Sequence, residues 1–341
     1  MADSVSNADP VLVEIIRGGM VESRHRGAAV VVDAAGKIVR RWGDVERSVY
    51  ARSAIKPVQA LPLVESGAAD RFGLGERELA LACASHHGQP AHVAAVRSWL
   101  ERVGLGPGDL ECGSHLPYDV PSAHALIRAG ERPCPLHSNC SGKHSGFLTT
   151  ALHRGEATRG YIAEDHPVQR RVTKAIEEMS GFDLARAPRG VDGCGIPVIG
   201  LPLLGLARAM ARMADPSGLP GDRPAAARRL LAAMAAEPLM VDGTGGFATV
   251  LMQEAGGRAM MKPGAEGVFC AALPGLGYGV ALKIADGAGR ASEVAMGAIL
   301  ERLGVLAGRV SPALSALLRP VIRNVAGREV GAIRPAAALL A

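Results

Sequence analysis

From Val11 to Tyr50 the apolar residues fall in short β-branched runs. "VLVEIIRGG", "GAAVVVDAAGKIVRRWG" and "RSVYARS" predict strands, with Ala34-Ala35-Gly36 turning a hairpin. From Ser53 the spacing lengthens to that of helices. Ile55, Val58, Leu61, Leu63 and Val64 share a helical pattern, although Pro57 and Pro62 interrupt it. "AHVAAVRSWLERVG" predicts a helix, and "HPVQRRVTKAIEEMSG" predicts another with Asp165 as its N-cap. "RPAAARRLLAAMAAEP" and "EVAMGAILERLGVLAG" predict two more, and "YGVALKIADG" before the latter reads as a strand ending in an Asp-Gly turn. Strands at both ends around a helical middle, residues 55–235, give an α+β fold with the terminal strands in one antiparallel sheet. The stretch 208–230 reads as loop-rich and helical, and neither linker nor repeat divides the chain. A flexible N-terminus over residues 1–10 and one domain over 11–341 are expected.

Composition narrows the function classes. With 341 residues, 48% of them hydrophobic and 21% charged, the chain can bury a large core and is not a disordered one. The net charge of +5 is spread without basic runs, and aromatics are only 3%, too few for the stacking surfaces of a single-strand nucleic-acid binder. The charge favours at most an anionic small substrate, and no nucleic-acid partner is expected. "MADSVSNADPVLVE" lacks the apolar core of a signal peptide and no apolar run is long enough to span a membrane, so a soluble cytoplasmic protein is expected. Its six cysteines would then be reduced, which puts metal binding or catalysis ahead of a disulfide framework. Only six of the 38 basic residues are lysines. Either lysine is kept where an amine must lose its proton, or the bias is compositional drift.

Four segments carry candidate chemistry. In Ser53-Ala-Ile-Lys56 the lysine lies on the same side of a helix as the serine, where a desolvated amine can take the hydroxyl proton; a solvated helix face would show the same spacing. "CASHHGQPAH" gathers Ser85, His86 and His87 in an otherwise apolar stretch, suiting a site loop with a histidine base or, equally, a helix C-terminus. "HSNCSGKHSG" admits half a metal site, a phosphate loop, a reactive thiol or a turn. The phosphate loop fails, because His137 stands where the first glycine belongs and His144 follows the lysine. Cys140 and Cys194, in "VDGCGIPV", are 54 residues apart, far from zinc-finger spacing, so a metal site from two loops and a pair of buried cysteines both remain open. Finally, Lys262 in "GRAMMKPGAEG" ends an apolar strand before Pro-Gly, as a site-lining amine does and as a solvated strand-end lysine also would.

Taken together, "RSAIKPVQALPLVESGAADRFGL", "ASHHGQPAHV", "CGSHLP", "HSNCSGKHSGFL", "DGCGIPV" and "GVALKIADG" occur in the order found in the rhizobial-type Ser-Lys L-asparaginases, and the chain resembles that family from Val11 to Leu306. The resemblance implies a serine β-lactamase/glutaminase-like fold, an antiparallel sheet flanked by helices. It also implies hydrolysis of L-asparagine to L-aspartate and ammonia. The family's catalytic Ser-x-x-Lys falls on Ser53 and Lys56, its second serine–lysine pair on Ser85 and Lys262, and its zinc ligands on Cys140, Lys143 and Cys194. A homodimer is the family habit. On this reading Ser53 attacks the amide carbon, Lys56 takes its proton, and backbone N–H groups hold the oxyanion. Arg52 and Asp192 are expected to bind the substrate's α-carboxylate and α-ammonium, with His86 beside them. The rivals are a glutaminase or penicillin-recognising hydrolase on the same scaffold, although S-D-N and K-T-G elements are missing as such, and a zinc-dependent sensor or amino-acid-binding protein without turnover.

Overall fold

The computed structural model describes residues 9–340 except 307 and 309. Residues 1–8 of the expected flexible N-terminus lie outside the described residues. The β-branched runs form β1 (Val11–Arg17), β2 (Met20–Asp33) and β3 (Ile38–Trp42), and the turn at Ala34-Ala35-Gly36 closes with Asp33 and Lys37 paired across it. "RSVYARS" yields β4 (Ser48–Tyr50), which leaves the main sheet and joins β5 (Arg189–Val191) and β6 (Pro197–Pro202) in a three-stranded sheet ordered β4-β6-β5.

The eight-stranded main sheet adds β7 (Met260–Pro263), β8 (Val268–Leu273), β9 (Tyr278–Ile284), β10 (Val321–Arg323) and β11 (Glu329–Pro335). Its order is β10-β11-β1-β2-β9-β8-β7, with β3 also on β2, and every pairing is antiparallel. The chain ends therefore meet in one sheet, as the sequence predicts. The long β2 changes character half-way: it alternates where it pairs β1, then Ala28–Val32 are all buried where β9 and β3 flank it. Both sheet faces are covered there. The helices Leu203–Ala214 and Gly289–Arg302 pack on this sheet, the first so closely that a Cβ on Gly279 would meet the Ala207 carbonyl at 2.0 Å.

Between the sheet's two halves the chain is mainly helical from Lys56 to Ala255, interrupted by β5 and β6, and the helices Pro238–Val241 and Phe247–Ala255 lie beyond the expected end. Three local expectations are corrected. Ser53 does not open an α-helix. It sits in a 3-10 turn, Arg52–Ile55, followed by the short helices Lys56–Gln59 and Leu61–Glu65, each with a proline in its first turn, where a missing N–H costs nothing. The helix Pro167–Ser180 is capped by His166, whose Nδ1 accepts from the Val168 N–H, rather than by Asp165. The segment after Cys140 is the helix Ser141–Arg154 instead of a loop.

That helix runs through the interior: everything from Ser141 to Ala151 is buried. Ser145, Thr149 and Thr150 satisfy their hydroxyls by donating to carbonyls one turn back, and Trp99 Nε1 donates to Thr149 Oγ1 at 3.0 Å. Gly142 lets it approach the helix Glu76–Ala82, since a Cβ there would meet the Leu81 carbonyl at 2.3 Å.

Candidate active site

The turn that carries Ser53 is held in an uncommon shape. Arg52 has φ of +48°, a left-handed conformation costly for any residue with a Cβ, and its Nε donates to Asp192 Oδ1 at 2.8 Å. Gly264, two residues past Lys262, packs against the same turn: a Cβ there would lie 3.1 Å from both the Ala51 carbonyl and the Ala54 nitrogen. Ser53 is half-buried between buried Ala51 and Ala54, and Lys56 follows three residues on, its amine hydrogen-bonded to partners other than Ser53.

Lys56 is the centre of the arrangement. Its side chain is wholly buried and Nζ reaches the Ala84 carbonyl at 2.5 Å, Ser85 Oγ at 2.8 Å and Cys140 Sγ at 3.2 Å. Burial pulls its pKa below the ordinary lysine value; Cys140 opposes this and Lys143 adds to it. Ser85 is placed by its own N–H, which donates to the Val241 carbonyl at 2.9 Å. Lys262, buried at the end of β7, donates to the Pro263 carbonyl at 2.9 Å. Burial, and then the neighbouring Lys56 amine, push its pKa down to about 7. The hydrogen bond to Ser85 thus comes from Lys56, whereas the family resemblance pairs Ser85 with Lys262.

A sulfur cluster adjoins this centre. Cys140 stands at the N-cap of the helix Ser141–Arg154, Lys143 lies one turn along, and Cys194 follows Asp192 on the loop between β5 and β6. Lys143 Nζ contacts Cys194 Sγ at 3.0 Å, and the two thiols are hydrogen-bonded to each other. That bond, helped by Lys143 and Lys56 against burial, holds Cys140 far below the ordinary thiol range, while the same bond and burial raise Cys194. Burial works to lower Lys143, but Cys140 and Cys194 outweigh it and hold the amine above its usual value. Among the described residues, no three His, Cys, Asp or Glu side chains stand together as a metal cage. The donors that do converge are two sulfurs and an amine, which fit zinc provided that the lysine is the third ligand.

Of the other expected residues, Arg52 and Asp192 meet as an ion pair of opposite charges beside the Ser53 turn. His86 is fully buried and both ring nitrogens are occupied: Nδ1 accepts from the Gly88 N–H at 3.1 Å, so Nε2 carries the proton toward Ser141 Oγ at 2.8 Å. Burial drives its pKa far down, and it ties the Ser85 loop to the helix Ser141–Arg154 as a neutral ring. The sequence reading overlooked Asp242, which pairs with His87, and Tyr161, whose hydroxyl contacts His144 Nδ1 at 2.8 Å. Asp242 lies in "VDGTGG", a glycine-flanked acid like that of "VDGCGI", and this was the available signal.

The sequence pattern of the family described as L-asparaginase II matches residues 13–335 of the chain. The chain belongs to the L-asparaginase II family. No curated protein matches it. Among solved structures it is similar to a β-lactamase from Mycobacterium bovis, at 16% identity over 81% of this chain and 94% of that one, with a TM-score of 0.38. A β-lactamase-like protein from Bacteroides dorei gives 15%, 76%, 84% and 0.39 on the same measures, and the protein Mglu gives 16%, 84%, 69% and 0.37. These overlaps are too loose to carry chemistry from one site to another. Among the described residues no helix of this family member is long and apolar enough to cross a membrane.

Proposed function

We propose that this L-asparaginase II family member hydrolyses L-asparagine to L-aspartate and ammonia through an aspartyl-Ser53 ester. The observation that carries the reading is the Lys56 amine: fully buried, lowered in pKa, and in contact with Ser85 three residues after Ser53. A neutral amine in that place takes the Ser53 proton as the hydroxyl oxygen attacks the side-chain amide carbon. Lys56 and Ser85, already hydrogen-bonded, pass that proton toward the departing nitrogen, and Lys262 supplies a second amine that is neutral above about pH 7. Water then cleaves the ester with the same groups acting in reverse. The Arg52 guanidinium suits the substrate α-carboxylate and Asp192 its α-ammonium, so an amino-acid zwitterion exchanges one ion pair for two. His86 serves this site by fixing the Ser85 loop.

Cys140, Lys143 and Cys194 would hold zinc, which when bound supplies a Lewis acid or ties two loops together. The soluble homodimer that the family resemblance implies belongs to the same proposal and is checked by sedimentation. Ammonia release from asparagine and from glutamine, measured beside ring opening of a β-lactam, tests the function. Asparagine turnover that disappears in Ser53→Ala supports it; turnover of glutamine or the β-lactam alone, or turnover that survives Ser53→Ala, overturns it.

A further inference from the structure

His87 has no part in the reaction proposed above, yet it is built into the same loop as Ser85. Its Nε2 lies 3.4 Å from Asp242 Oδ1, and its carbonyl accepts from the Asp119 N–H at 3.0 Å. Asp242 is buried, and its Oδ2 accepts from the Ala248 N–H at 3.2 Å, which fixes the carboxylate at the start of the helix Phe247–Ala255. Next to it, Gly243 has φ of +136°, and a Cβ there would strike the His87 ring at 2.8 Å, so the ring lies directly on the glycine backbone. The Ser85 N–H reaches the Val241 carbonyl two residues earlier. The loop that carries Ser85 is therefore fastened twice to the Val241–Gly243 turn, once by backbone and once by an ion pair.

We propose that the His87–Asp242 pair is a positioning device for the Ser85 hydroxyl: it clamps the loop that carries Ser85 against the Val241–Gly243 turn. The inference rests on the proposed reaction but addresses residues outside it. The charged and titratable groups acting on His87 are Asp242, Asp119 and Lys262, with His86, His92 and Glu293 around them. The hydrogen bond to Asp242 keeps His87 above the ordinary histidine value.

The test uses the whole chain with Asp242→Asn, which keeps an oxygen for the Ala248 N–H, and His87→Gln, which keeps a donor. Each is expected to lower kcat for asparagine by roughly 10- to 100-fold, with KM changed by less than about twofold. Asp242→Glu should recover part of kcat. The Ser85 amide, whose N–H is bonded to the Val241 carbonyl, should exchange with solvent roughly 10-fold faster in both variants, whether or not the chain turns over asparagine. Parental kcat in both variants, or unchanged exchange of the Ser85 amide, overturns the inference. A parent without asparagine turnover overturns the proposed function instead, and the exchange measurement still decides the role of the pair.

Discussion

The Lys56 amine donates to the Ser85 hydroxyl at 2.8 Å, joining the lysine of one motif to the serine of the other. One member of each sequence-distant pair is thereby bonded to the other at a single buried amine. Replacing Lys56 should therefore damage more than one step. Lys56→Met is expected to lower kcat by roughly 100- to 10,000-fold, the usual range for a lost acid–base group. Lys56→Arg should be no better, since arginine stays charged. Recovery of activity in Lys56→Arg by a steady-state ammonia assay would remove the neutral-amine role.

The Lys262 amine, held at about 7, gives the pH dependence its sign. Below pH 7 it is charged in the folded protein and cannot accept a proton; above it the neutral form predominates. Asparagine kcat/KM is expected to rise through pH 7, and Lys262→Met should flatten that limb. Stability follows the same group. Between about 7 and 10.5 the unfolded chain binds a proton at Lys262 that the folded chain lacks, so folding becomes more favourable as pH rises across that window. Urea midpoints of the parent and Lys262→Met at pH 7 and pH 9 check this: the difference between them should narrow or reverse with Met in place.

Arg52 combines a strained backbone with the guanidinium proposed to hold the substrate carboxylate. Arg52→Ala should raise KM for asparagine roughly 10- to 100-fold, the value of one charged hydrogen bond. Arg52→Gly should lose binding equally yet fold more stably than Arg52→Ala by about 1 kcal/mol, because glycine meets no penalty at φ of +48°. Equal melting temperatures for the two variants would show that the turn is unstrained.

Removal of bound metal tests the sulfur cluster. Dialysis against a strong chelator should lower both the melting temperature and the rate, with zinc restoring them. Lys143→Met should bind less than the parental zinc content by elemental analysis. Full activity in the stripped protein would confine any metal to a structural role.

Gly264 tests the contact between β7 and the Ser53 turn. A Cβ at 3.1 Å from the Ala51 carbonyl and the Ala54 nitrogen must displace that turn. Gly264→Ala should lower kcat by about 100-fold while destabilising the fold by only about 1–3 kcal/mol. A parental rate would mean that the turn tolerates the shift.

The strands were legible because β-branched runs and their turns are local signals: Ala28–Val32 and Tyr278–Ile284 needed only composition and period. The serine–lysine motif was legible as a spacing. The helix Ser141–Arg154 was not, because its serines, glycine and threonines look like loop residues until each hydroxyl is seen bonding one turn back. Nor was the Lys56–Ser85 bond, since it depends on where two chain segments meet. His87–Asp242 spans 155 residues and leaves no periodic trace.

The burial of Ser141–Ala151 has a consequence for how the protein fails. Cys140, Lys143 and the histidine that anchors the Ser85 loop all depend on a stretch lodged inside the core. The amide protons of this buried stretch should exchange with solvent only through global opening. Heat should then extinguish activity and tertiary structure along one curve, with no folded but inactive form populated between them.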